Sequence, residues 1–232
     1  MRALLLAAGL GTRLGELTKS VPKCLVEVGG EPILGRLLRQ LSAAGVTEFL
    51  INTHHLESQV REWVGSSEWR DAIQLTHEPM LLGTAGTLRR NWDFFQGSDG
   101  MVLHADNYFD FDLTELRLAF QERPRGVDMT MLTFIADDPS AFGVVELDDR
   151  RVVIGFHEKV VNPPTALASA ATFAFSPMIV DAIEQLPPDS ADISRDLIPL
   201  LLGRINVLKM STQVIDIGTL ESLVKARELE QF

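Results

Sequence analysis

Residues 4–30, LLLAAGLGTRLGELTKSVPKCLVEVGG, decide how the chain is read. Leu4 to Ala8 form a continuous apolar run, as expected of a strand buried on both faces of a parallel sheet. The run passes directly into a loop holding Gly9, Gly11, Gly15, Arg13 and Lys23. Such a loop lets backbone N–H groups approach a phosphate, with one arginine and one lysine to supply charge. Two other phosphate loops do not fit. A dinucleotide fingerprint, G-x-G-x-x-G, needs a third glycine at position 14, where the chain has Leu14. A P-loop is approached only at Gly30 and Gly35, which continue as Arg36-Leu37 instead of Lys-Ser or Lys-Thr.

Outward from this loop, strand-like and helix-like segments alternate, the βαβα pattern of a parallel sheet covered on both faces. Strands are expected at 3–7, 48–53, 73–77 and 101–105, and helices at 33–44, 56–64, 84–91 and 112–121. Beyond residue 125 strand runs follow one another without helices, at 128–135, 143–147, 152–157 and 170–175. That change predicts an antiparallel extension. Helices return at 177–185, 193–202 and 219–230, with strands near 205–210 and 214–217. The chain carries no repeat and no low-complexity linker, so one α/β unit over residues 1–232 is the simplest account.

Composition narrows the function. The chain carries 21 basic against 32 acidic residues, a net charge of −11, which argues against binding a nucleic-acid backbone. A phosphate ligand must then be met by a few local cations or by a metal. Cys24 is the only cysteine, so neither an intrachain disulfide nor a cysteine-rich zinc site is expected. The N-terminus lacks a signal-peptide layout and no window reaches the ~18 consecutive apolar residues of a membrane span. A cytoplasmic protein without a membrane partner is expected. His104 and Asp106 share a strand face, but the five histidines offer no compact third ligand for zinc.

Leu6, Ala7, Ala8, Gly9, Gly11, Thr12, Arg13, Leu14, Thr18, Pro22 and Lys23 together resemble the signature of the sugar-1-phosphate nucleotidyltransferases. Further similar segments follow in order: HEPMLLGTAGTL at 77–88, HADNYF at 104–109, FGVVELD at 142–148, FHEK at 156–159, ASAATFAFSP at 168–177 and IDIGTLESL at 215–223. The resemblance spans essentially the whole chain and is of the mannose-1-phosphate guanylyltransferase or glucose-1-phosphate thymidylyltransferase type. It implies a Rossmann-like three-layer α/β sandwich with a mostly parallel mixed sheet and a small antiparallel extension. It further implies a nucleotide-binding half, 1–125, and a sugar-phosphate-binding half, 126–232, in a minimal form without the C-terminal β-helix of some relatives.

The activity implied is Mg²⁺-dependent transfer of a nucleotidyl group from an NTP to a sugar 1-phosphate, with a homo-oligomer left open. In that reading Arg13 meets the departing β,γ-phosphates and Lys23 the α-phosphate, as the catalytic cations. Leu6, Ala8, Gly9, Gly11, Thr12, Glu78, Gly83 and Thr84 bind the nucleotide. Gly143, Glu158, Lys159 and Ser169 bind the sugar phosphate, and Asp106 and Asp216 hold the metal. Glu78 favours guanine, because a carboxylate has only acceptors and guanine offers two adjacent donors. Ser169 and Ala171 replace the family's usual asparagine and glycine, which leaves the sugar open and admits a non-sugar phosphate as an alternative acceptor. A non-catalytic, nucleotide-binding regulatory subunit is the alternative of another class.

Overall fold

The computed structural model describes residues 1–189 and 191–230. Its strands are β1 (Arg2–Leu6), β2 (Glu27–Val28), β3 (Glu31–Pro32), β4 (Glu48–Thr53), β5 (Ile73–His77), β6 (Gly100–His104), β7 (Asn107–Tyr108), β8 (Met129–Ile135), β9 (Gly143–Leu147), β10 (Val153–Glu158), β11 (Leu167–Phe175), β12 (Ile205–Lys209) and β13 (Ile215–Asp216). Nine of them make one mixed sheet in the order β10-β9-β11-β6-β1-β4-β5, with β8 and β12 branching from β11. The β6-β1-β4-β5 part is parallel, and β11 runs antiparallel to β6. The α/β class expected from the sequence is therefore the class observed.

Alternation along β1 shows the three layers. Ala3 and Leu5 belong to one core, with the helices Ile33–Ala43, Glu57–Ser66 and Leu113–Gln121, whereas Leu4 and Leu6 belong to the other. The second core is closed by the helix Thr84–Arg90 and by the short turns of residues 177–201. Ile33, Leu34, Leu37, Leu38 and Leu41 are all buried at the spacing that predicted their helix, and Gly45 ends it at φ 84°. Asp112 is the cap rather than the first turn of its helix, accepting from the Thr114 N–H at 2.8 Å.

Three expected elements differ. The 193–202 helix becomes a π turn, Ile193–Leu197, followed by a 3₁₀ turn, Ile198–Leu201. Pro199 has no N–H to return to the preceding turn, so the regular α ladder cannot run through. The 177–185 helix likewise begins as a 3₁₀ turn at Pro177–Ile179. The 214–217 strand shrinks to the two residues of β13, which pair with β7.

Parallel pairing sets the site. Leu6 at the end of β1 lies level with Asn52 of β4 and His104 of β6. The loops after these strands thus open on one edge, where open α/β sheets place their ligands. No helix among the described residues is long and apolar enough to cross a membrane.

Gly100 opens β6 beneath two phenylalanines packed edge to face, Phe95 and Phe175, with ring centroids 5.0 Å apart. A Cβ there would lie 2.5 Å from Phe175 Cζ and 2.6 Å from Phe95 Cδ1. Gly100→Ala should therefore cost about 1–3 kcal/mol through overpacking, read as a lower urea midpoint. An unchanged midpoint would contradict this packing.

Candidate active site

Two clefts meet at the carboxyl edge of the parallel strands, and His104 and Asp106 line both. The larger, about 310 Å³, is walled by Arg13, Lys23, Gly143, Glu158, Lys159, Ser169 and Asp216 among others. The smaller, about 190 Å³, is lined by Leu6, Ala8, Gly9, Glu78, Gly83 and Thr84, and also by Asn52 and Thr87.

Asp106 and Asp216, 110 positions apart, meet because β7 and β13 form a two-residue antiparallel pair, with Asn107 opposite Asp216 and Tyr108 opposite Ile215. The Ile217 N–H donates to the Asp106 carbonyl at 3.0 Å and closes this pair. Lys23 bridges the two carboxylates, its Nζ at 2.5 Å from Asp106 Oδ2 and 2.9 Å from Asp216 Oδ1. Arg13 Nη2 lies 3.0 Å from the other oxygen, Asp216 Oδ2. Asp106 Oδ1 is buried and accepts no hydrogen bond among the described residues. An orphaned carboxylate oxygen beside a second carboxylate fits magnesium, which takes one or two carboxylates and completes its shell with substrate oxygens and water.

Burial alone would lower the Lys23 pKa, but Asp106 and Asp216 outweigh it and the ammonium is held above its ordinary value. Burial likewise pushes the Asp216 carboxyl up, and Lys23 with Arg13 reverses that and holds it below the usual range. Cys24 is fully buried and its thiol is pushed up to about 12, mainly by desolvation, so it is a core side chain and not an activated nucleophile.

The smaller cleft rests on a buried polar chain. Asn52 Oδ1 accepts from the Ala7 N–H at 2.7 Å, and its Nδ2 donates to Glu78 Oε1 at 3.0 Å. Thr87 Oγ1 donates to the same oxygen at 2.5 Å, and the Leu82 N–H donates to Glu78 Oε2 at 3.2 Å. Glu78, 1% exposed, therefore does not present two free oxygens to a base. Oε1 has both lone pairs occupied, and only Oε2 retains one. This corrects the expectation of a two-oxygen guanine reader, because a single acceptor can take an N–H from guanine or from thymine.

Other expected residues are placed with different roles. Gly11, at φ 64°, is packed against Thr18, where a Cβ would lie 2.7 Å from Cγ2. Thr18 Oγ1 donates to the Gly11 carbonyl at 2.8 Å, so Gly11 shapes the loop and does not line either cleft. Thr12 faces a separate surface hollow with Leu10, Thr18 and His55 and lines neither cleft. Gly83 and Thr84 line the smaller cleft, but the N–H groups of Ala85 and Gly86 are already donated to the Ala191 carbonyl at 2.9 and 3.1 Å. Gly143 makes room for its own cleft: a Cβ would collide with the Phe156 ring and approach Glu158 Oε2 to 2.6 Å.

In the larger cleft Ser169 Oγ accepts from the Ala171 N–H at 3.1 Å. Ala171 is held at φ 49°, in the left-handed region, where the strand β11 shifts register against β8. Lys159 also has φ 50° and reaches to 3.6 Å from Glu158 Oε1. Asn107 is turned inward, donating to the Ala170 carbonyl at 3.0 Å. Asn52, Thr87, Asp192 and Ser194 also line the clefts and were not expected from the residues alone. A polar Asn-Thr pair ending the apolar strand EFLINT was the one available signal.

Residues 2–231 match the family described as Nucleotidyl transferase. The chain belongs to that family. It is 31% identical to a mannose-1-phosphate guanylyltransferase of Mycobacterium tuberculosis, over 87% of this chain and 55% of that protein. It is 32% identical to a glucose-1-phosphate thymidylyltransferase of Streptomyces antibioticus, over 81% and 53%. The chain thus spans about half the length of these curated relatives. Among solved structures, a putative glucose-1-phosphate thymidylyltransferase from Bacillus anthracis superposes with a TM-score of 0.89 at 25% identity, covering 100% of this chain and 95% of that one. HddC from Yersinia pseudotuberculosis, complexed with GMP-PN, has a TM-score of 0.79 at 25% identity, with 98% of each chain covered.

Two outcomes follow from the family site's geometry. Glu78→Gln should lower stability by about 1–3 kcal/mol, because an amide N–H would face one of the donors now bonded to the carboxyl. Urea unfolding reads this, and a side chain serving only to read a base would leave stability unchanged. The second outcome concerns pH. Asp216, depressed in the fold, contributes stability that is complete above its ordinary value of 3.8 and is lost as pH falls through the lower folded value. Lys23, raised in the fold, contributes fully below 10.5 and loses this as pH rises through the higher folded value. The stability difference between wild type and Lys23→Met should therefore be largest between those limits and shrink outside them, and a maximum elsewhere would contradict the assignment.

Proposed function

We propose that this protein transfers a nucleotidyl group from an NTP to a sugar 1-phosphate, releasing pyrophosphate and forming a nucleotide-sugar. The observation that carries the reading is the meeting of two clefts at Asp106, one lined by the glycine loop and one by Glu158 and Lys159. Two polyanions must be brought together there, and such reactions depend on positioning and electrostatics more than on a protein nucleophile.

In this reading the acceptor's phosphate oxygen attacks the α-phosphorus in line with the departing pyrophosphate. Lys23 turns to the α-phosphate, where charge accumulates, and Arg13 meets the phosphates that leave. Lys159 holds the acceptor phosphate, and Glu158 accepts hydrogen bonds from sugar hydroxyls over Gly143. Mg²⁺, held by Asp106 and Asp216, would neutralise phosphate charge when bound. Residues 1–125 supply most of the nucleotide cleft, and residues 126–232 most of the acceptor cleft.

GTP is the donor we favour. The support is the guanylyltransferase among the relatives and the GMP-PN complex of HddC. UTP, dTTP or CTP is the alternative, since a thymidylyltransferase is equally similar. A non-sugar phosphate acceptor is kept as a second reading, because the Ala171 methyl occupies the cleft wall where the family's usual residue has no side chain.

The test is incubation with Mg²⁺, inorganic pyrophosphatase, five nucleoside triphosphates and a panel of sugar 1-phosphates, with products identified by mass. A nucleotide-sugar should form, and excess EDTA or Asp106→Asn should reduce turnover by roughly two orders of magnitude or more, as loss of several kcal/mol of charge stabilisation requires. Full activity in EDTA would remove the metal from the proposal, and no product with any pair would remove the proposal itself.

A further inference from the structure

We infer that Lys23 fills the seat of the divalent cation in the nucleotide-free protein, so that the metal enters together with the nucleotide and not before it. The identity of the metal rests on the nucleotidyl-transfer reading above; the geometry stands apart from it. Lys23 is 8% exposed, and its ammonium lies between the two carboxylates at 2.5 and 2.9 Å. Arg13 takes the outer oxygen of Asp216. Three of the four carboxylate oxygens are thus held by the protein's own cations, and Asp106 Oδ1 accepts no hydrogen bond among the described residues, with His104 Nδ1 3.9 Å away.

The charge balance explains the exclusion. Asp106 and Asp216 carry two negative charges, and Lys23 and Arg13 cancel both. A bare divalent cation reaching both carboxylates would have to displace the ammonium from between them or lie against it. Either arrangement leaves two uncompensated positive charges beside Lys23 and Asp106, whose side chains are 8% and 21% exposed, where such charge is costly. A triphosphate changes this, because it offers Lys23 and Arg13 new anionic partners as the cation takes the carboxylates. Only the side chain has to move. The backbone of Lys23 is fixed in the 3₁₀ turn Lys23–Leu25, between Pro22 and the buried Cys24 and Val26.

Lys23 accordingly acts twice in this scheme, first as a stand-in for the metal and then as a phosphate ligand. The arrangement keeps the carboxylate pair from collecting free divalent cations and from repelling itself when the cleft is empty.

Mn²⁺ without nucleotide is the probe, titrated into wild type, Lys23→Met and Lys23→Gln, with free Mn²⁺ followed by its paramagnetic resonance signal and Tm measured with and without the ion. Both variants should bind Mn²⁺ at least about tenfold more tightly than wild type, and Mn²⁺ should raise their Tm but not that of wild type. Adding Asp106→Asn to Lys23→Met should abolish the gain. A variant that folds only when Mn²⁺ is present supports the inference equally. Tight Mn²⁺ binding by wild type overturns it whether or not the variants fold, as does equal affinity in all three proteins. No nucleotide or acceptor is present, so failure of the nucleotidyl-transfer reading would leave the result standing. Conversely, Mg²⁺-dependent turnover with equal Mn²⁺ affinities would sink this inference alone.

Discussion

A buried ammonium between two carboxylates holds the functional edge of this protein together. Lys23, Asp106 and Asp216 come from three segments far apart in sequence, and each would be costly to bury alone. Together they compensate one another, and the short β7–β13 pair places the two carboxylates where one side chain can reach both. The glycine loop between β1 and Lys23 is consequently anchored at both ends. One end is a strand in the middle of the parallel sheet, and the other is this ionic cluster.

The same loop is held from below by a second buried polar system. Asn52 fixes the first N–H after β1, and Glu78 with Thr87 fixes Asn52. Each member satisfies the next, as buried polar groups must. The floor of the smaller cleft is therefore fixed by internal hydrogen bonds, which suits the positioning role proposed for it. Glu78 belongs to this support as much as to the lining of the smaller cleft.

The larger cleft is built differently. Its wall contains two non-glycine residues in the left-handed region, Lys159 and Ala171, each at a cost of roughly 1–2 kcal/mol. Both flank points where the antiparallel strands end or shift register. Such strain persists only where surrounding structure over-determines it, and here it turns Lys159 and the Ser169–Ala171 segment toward the cleft. Ala171 has a methyl where a glycine would leave space, so the larger cleft departs from the family pattern in shape while Arg13, Lys23, Asp106 and Asp216 are kept.

Much of this was legible in the residues alone. Apolar runs and 3.6-residue spacing located most elements to within a residue or two, and the Gly-Arg-Lys loop with the two Asp segments named the residues that line the clefts. Those features are local, and local backbone geometry and binary pattern set them. Pro199 could have warned against a regular helix after Ile193. What the sequence could not disclose is how side chains divide their hydrogen bonds. That Glu78 is occupied from within, that Thr12 turns away, that Gly11 serves packing, and that Lys23 lies between the carboxylates are outcomes of strand register and of contacts between segments up to 193 positions apart. Residue identity determined which charges were available; only the tertiary structure decided which of them face each other, because pairing in a buried site depends on distances that no local pattern encodes.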